Sequence, residues 1–201
     1  MRILLVGAGG VGDAIAKIAA RRSFFETMIV SDYDVTRAER TIAWIEAKHG
    51  PQGDRFVAAQ IDASDPAVVE KVAREHGATH VMNAVEPKFV MPIFEGAKAA
   101  GADYMDMAMS LSQPHADEPF AKTGVKLGDE QFAVADEWEG AGRLALVGMG
   151  VEPGLSDVFA RYAVDHLFSE VDELGTRDGA NLVVRDDEGN EIFAPSFSIW
   201  T

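Results

Sequence analysis

Gly7, Gly9 and Gly12 stand in the stretch VGAGGVGDAIAK, residues 6–17, with the spacing G-x-G-x-x-G. Such glycines serve one kind of chemistry. The first lets a strand turn tightly into a helix, the second lets a phosphate approach bare backbone, and the third lets helix and strand pack closely. Gly10 and Val11 complete the loop, and the N–H groups of the helix start face negative charge. Twenty residues after Gly12, Asp32 closes the next apolar run, where a carboxylate would accept hydrogen bonds from a ribose. Together they predict a dinucleotide site, with Asp32 favouring NAD over a cofactor bearing a 2′-phosphate. Arg37 is the counterweight that leaves NADP as a weaker ligand.

Further candidates lie at the ends of later strand-like runs. Asp62 could bind the adenine amino group or cap the next turn. Asn83, Ala84 and Val85, in NAVEP, fall where open α/β sheets bind ligands and are read as lining the nicotinamide side. Asp106, in YMDMAMS, is either an acid that orients an amine or carries a proton, or a solvated carboxylate. Met105, Met107 and Met109 alternate beside it as core or pocket wall. No metal site is expected: the one i,i+4 histidine pair, His76 and His80, is interrupted by Gly77, and there is no cysteine.

The elements that must position these residues follow from an alternation of apolar runs with helical patterns, the signature of βαβ units and a parallel sheet. Strands are predicted at 2–6, 27–32, 55–62, 79–85, 102–109 and 143–150. Helices are predicted at 10–23, 35–49, 65–77, 88–101 and 128–142, with Asp65 as N-cap, Pro66 in the first position and a distortion at Pro92. Residues 110–126 read as a long loop, of the kind that tends to be functional. A turn and helix at 152–171 and short strands around a turn at 186–190 follow. The prediction is a Rossmann-type doubly wound α/β domain over 1–150. Residues 151–201 then form a linker helix and the beginning of a second α/β domain.

Composition excludes several functions. With 33 acidic and 18 basic residues among 201, the net charge of −15 would repel a nucleic-acid backbone. No run of 18 apolar residues and no leader stands in the sequence, so a soluble, untargeted cytoplasmic protein is expected. There is no G-x-S-x-G elbow to suggest a hydrolase.

With the N-terminal fingerprint, SDYD, NAVEP, ADYMDMA, and above all GVEPGLSD after the last Rossmann strand, the chain resembles the saccharopine dehydrogenase family. The resemblance implies an NAD(P)-dependent oxidoreductase acting on a C–N bond of an amino acid or secondary amine, saccharopine or a lysine-like substrate. It implies that Gly7, Gly9, Gly12 and Asp32 bind the cofactor, that Pro153, Gly154 and Leu155 form a turn beside the nicotinamide, and that Asp106 stands in the substrate cleft. Arg177, in TRDG, would approach a substrate carboxylate or else sit on an edge strand. Members run to about twice this length, so the chain is expected to be an N-terminal fragment of a homodimeric enzyme. The competing reading is a dinucleotide-binding module or redox sensor without turnover.

Overall fold

The computed structural model describes residues 1–176 and 183–192. Its centre is a six-stranded parallel sheet built from β1 (Arg2–Val6), β2 (Thr27–Asp32), β3 (Phe56–Gln60), β4 (His80–Asn83), β5 (Asp103–Met105) and β6 (Ala145–Leu146). The strands lie in the order β3-β2-β1-β4-β5-β6, all neighbours parallel. That is the doubly wound dinucleotide-binding order, with its reversal between β1 and β4.

Helices cover both faces, so the central strands carry apolar side chains on both sides, as in the ILLV of β1 and the MIV of β2. Along β1 the side chains alternate between two cores. Ile3 and Leu5 pack with Val30, Phe56, Ala16 of α1 (Gly10–Ala19) and Ile45 of α2 (Val35–His49). Leu4 and Val6 face the other way, with Val69 of α3 (Pro66–Glu75) and Ile93 and Phe94 of α4 (Val90–Ala100).

Local chemistry sets the helix starts. Asp34 caps α2 by accepting from Thr36 N, and Asp65 caps α3 by accepting from Ala67 N, with Pro66 first in the helix. α4 starts only at Val90, so Pro92 falls in its first turn, where a missing N–H costs no intrahelical bond, and the expected distortion gives way to a regular start. The helix expected over 128–142 is divided into α5 (Asp129–Phe132) and α6 (Ala135–Gly140), because the backbone leaves helical geometry at Val134. The strands expected at 102–109 and 143–150 are also shorter, since the chain turns away after Met105 and Leu146.

Beyond the sheet, α7 (Leu155–His166) buries none of its residues. A two-stranded antiparallel hairpin, β7 (Val184–Arg185) with β8 (Glu191–Ile192), closes around the expected turn at 186–190. No helix among the described residues is long and apolar enough to cross a membrane.

Candidate functional site

The loop between β1 and α1 is shaped by contacts only glycine permits. Gly7 has φ +100°, and a Cβ there would lie 2.5 Å from Val85 Cγ1 and 2.9 Å from the carbonyl oxygen of Ala84. A Cβ on Gly12 would lie 1.8 Å from the carbonyl oxygen of Gly7. Gly9 and Gly10 differ: no atom comes within 4 Å of a Cβ placed on either. Gly9 is the N-cap of α1 and supplies no side-chain acceptor, so helix N–H groups remain available to a ligand.

Asp32 ends β2 directly beside this loop. Its Oδ2 accepts from Ala8 N at 2.9 Å and its Oδ1 from Asp34 N at 3.0 Å, in a largely buried position. Since Asp34 caps α2, Asp32 is not needed there. A groove of about 530 Å³ runs from Asp32, Tyr33 and Arg37, past Gly9 and Val11, to Val85 and Phe89. Asp62 lines it too, while accepting hydrogen bonds from Ser64 N and Oγ, so the capping reading of this residue is realised. These two bonds hold the Asp62 carboxyl below its ordinary value.

A second pocket, about 390 Å³, opens between α1 and α2 and shares Gly9, Gly10 and Arg37 with the groove. Lys17 and Arg40 bring further positive charge to it. Lys17 is held by Asp13 at 2.6 Å and lies 4.6 Å from the Trp44 ring centroid. The Arg37 guanidinium stands 3.9 Å from Asp32 Oδ1. Arg40 has no acidic partner within 4.0 Å among the described residues.

At the opposite end, a cavity of about 100 Å³ continues the groove through Val11, Ala84 and Val85 to Asn83, Asp106, Met107 and Ala108. Asp106 is only 1% exposed. Its Oδ2 accepts from Gln131 Nε2 at 2.7 Å and the Tyr104 hydroxyl at 3.0 Å, and its Oδ1 from Gly148 N at 2.7 Å and Met109 N at 3.2 Å. Asn83 Nδ2 donates to the same hydroxyl at 3.2 Å. Burial first, then the Asp106 charge, push the Tyr104 phenol far above its ordinary value. Four donors fill the acceptor sites of a carboxylate. Of the alternatives expected of Asp106, the solvated carboxylate is not what the structure shows: the side chain is buried and held by four donors where it borders the cavity.

Pro153 and Gly154 are not among the residues lining the groove; Pro153 Cγ lies 3.3 Å from a Cβ placed on Gly148, itself against Met109, and Gly154 stands against Gly150, itself against Met107. Arg177 lies outside the described residues.

Comparison with known proteins agrees with this geometry. Residues 3–146 match the model described as the saccharopine dehydrogenase NADP binding domain. The chain belongs to the saccharopine dehydrogenase family. The carboxynorspermidine synthase of Vibrio cholerae is 29% identical over 181 residues, 89% of this chain and 43% of that protein. The carboxyaminopropylagmatine dehydrogenase of a Synechocystis strain is 28% identical over 170 residues, 85% of this chain and 39% of that protein. The chain thus spans less than half the length of the curated relatives it matches. Among solved structures, apo saccharopine dehydrogenase (L-Glu forming) from Saccharomyces cerevisiae superposes with TM-score 0.59 at 16% identity, over 83% of this chain and 31% of that one, a likeness of fold.

Some residues of this saccharopine dehydrogenase-family site escaped the sequence reading. Arg40 carried a signal, three residues after Arg37 on one helical face. Tyr104 carried another, two residues before Asp106 on one face of a strand. Gln131 carried none, because only the tertiary fold brings it to Asp106.

Proposed function

We propose that the groove binds a nicotinamide dinucleotide and that the protein is an oxidoreductase acting on a C–N bond of an amine-bearing substrate. The observation that carries the reading is the open space over Gly9 and Gly10 at the uncapped start of α1, on the switch point of the sheet. Gly7 and Gly12 shape the turn, and Gly9, Gly10 and Val11 hold the pyrophosphate. Asp32 accepts from the adenosine ribose and Asp62 borders the adenine. Asn83, Ala84 and Val85 flank the nicotinamide half. Bound there, a nicotinamide ring supplies hydride transfer to or from a carbon that carries nitrogen.

The adenosine end supports NADP as a ligand at least as good as NAD. Two backbone N–H groups already draw on the Asp32 charge, and Arg37, Arg40 and Lys17 gather where a 2′-phosphate would emerge. This departs from the preference expected of Asp32 alone, and the family description, which names NADP, favours it. The substrate reading rests on the relatives' names, which denote carboxylated polyamine-like molecules rather than saccharopine specifically. Residues 151–201 open the substrate-side domain in this reading, with Arg177 as a candidate for a substrate carboxylate.

The test is a set of titrations of this chain and its Arg37→Ala variant with NADPH and NADH. NADPH should bind at least as tightly as NADH, and the variant should lose about tenfold in NADPH affinity, the worth of one charge-assisted contact, with NADH nearly unchanged. Absence of binding by either at millimolar concentration would refute the dinucleotide reading. NADH binding far tighter than NADPH would restore the ribose-only role of Asp32.

A further inference from the structure

The buried acid at the end of β5 has a use that differs from proton transfer. Asp106 ties three segments together. Its side chain holds Met109 N on its own loop, Gly148 N beyond β6 and Gln131 on α5. Its backbone repeats the link to the β6 side, donating to the carbonyl of Leu146 at 3.0 Å and accepting from Met149 N at 2.8 Å. The amide oxygen of Gln131 accepts from Ser110 N at 2.8 Å. The turn at 107–109 is therefore clamped at both ends, by Asp106 directly and at Ser110 through Gln131.

That turn is not a relaxed one. Met109 adopts φ +61°, a conformation uncommon in residues other than glycine, and its N–H, with that of Gly148, donates to Asp106 Oδ1. A buried carboxylate is costly unless its acceptor sites are filled, and here the four donors that fill them are also the ones that fix the turn. An apolar side chain could fill the volume but could not hold these N–H groups. The part of the turn that reaches a ligand space is Met107 and Ala108, which wall the small cavity continuing the groove past Val85. With the adenosine half over β2, this is the end left for the nicotinamide.

We propose that Asp106 is a positioning residue: with Tyr104 and Gln131 it fixes the Met107–Met109 turn, and through that turn the seat of the nicotinamide ring. The proposal rests on the dinucleotide reading above. It assigns Asp106 no contact with substrate and no proton to move.

The experiment compares NADPH with 2′-phospho-ADP-ribose, which lacks the nicotinamide, on this chain and on Asp106→Asn. The variant should weaken NADPH by about tenfold while 2′-phospho-ADP-ribose changes by less than about twofold, and the fluorescence of bound NADPH should shift toward that of the free ligand. In Asp106→Asn with Gln131→Glu, the amide of Asn can donate to the new carboxylate, which still accepts from Ser110 N. Affinity and emission should then return most of the way. If Asp106→Asn does not fold, Tyr104→Phe removes one of the four donors and should give a smaller loss confined to NADPH. Equal losses for both ligands, or none, would overturn the positioning role and leave the dinucleotide reading standing. If neither ligand binds the unmodified chain, the dinucleotide reading falls and this proposal with it.

Discussion

The backbone N–H of Ala8 donates to Oδ2 of Asp32 at 2.9 Å, so the glycine loop after β1 is fastened to the end of β2 by a side chain 24 residues away. The bond is buried, one residue before Gly9. Asp32→Ala would strand the N–H groups of Ala8 and Asp34. It is expected to cost about 1–3 kcal/mol in a urea melt, as for other buried donors that lose their acceptor. NADH affinity should fall in the same variant. Unchanged stability would show that water replaces the carboxylate without penalty.

Gly9 and Gly12 should respond oppositely to a side chain. Gly9→Ser places an acceptor at the N-cap of α1, in space free of protein atoms, so the melting temperature should hold while dinucleotide affinity drops. Gly12→Ala would force a Cβ to within 1.8 Å of the Gly7 carbonyl oxygen. Its destabilisation should be at least the roughly 1–3 kcal/mol typical of overpacking. Thermal melts with and without NADPH distinguish the two.

The core on the α3–α4 face depends on Phe94, which is 2% exposed, edge-on to Tyr104 at 5.1 Å and tilted against Trp138 at 4.8 Å. Phe94→Ala should cost about 3–5 kcal/mol, as for other buried aromatic truncations. Because Tyr104 also serves Asp106, the same variant should disturb bound-NADPH fluorescence. Chemical denaturation followed by tryptophan emission measures the first effect.

Asp13 joins α1 to α2, accepting from Lys17 at 2.6 Å and from Thr41 Oγ1 at 2.7 Å. Burial raises its pKa, but the Lys17 and Thr41 bonds outweigh that and hold it below the ordinary 3.8. A lowered folded-state value means that the contribution is complete above the ordinary value and disappears as pH falls through the folded one. Asp13→Asn should therefore destabilise at pH 7 by about 0.5 kcal/mol or less, since the pair is partly exposed. The difference should shrink in paired urea melts as pH falls below the ordinary carboxylate value.

What could be read in advance was what neighbouring residues decide. β2 and α2 fall where expected, over 27–32 and 35–49, because Asp34, Gly50 and Pro51 punctuate the chain locally. The glycine turn between β1 and α1 was legible for the same reason. The surroundings of Asp106 were not, because Gln131 and Gly148 lie 25 and 42 residues further along and no spacing rule links them. The extent of β5 and β6 was overestimated on similar grounds. An apolar run continues in the sequence after the backbone has turned off the sheet to bind a buried acid.

The strand order also governs how the chain can acquire its structure during synthesis. β1 is made first and lies at the centre, pairing at Ile3–Val6 with Met28–Ser31 on one side and with His80–Asn83 on the other. At about 5–20 residues per second, its second neighbour follows by some 4–15 seconds. Until then Leu4 and Val6 lack the wall that β4, α3 and α4 provide. Early ribosome-bound intermediates should expose one flank of β1, and agents that shield apolar surface should raise the yield of folded protein most while residues 30–100 are being translated.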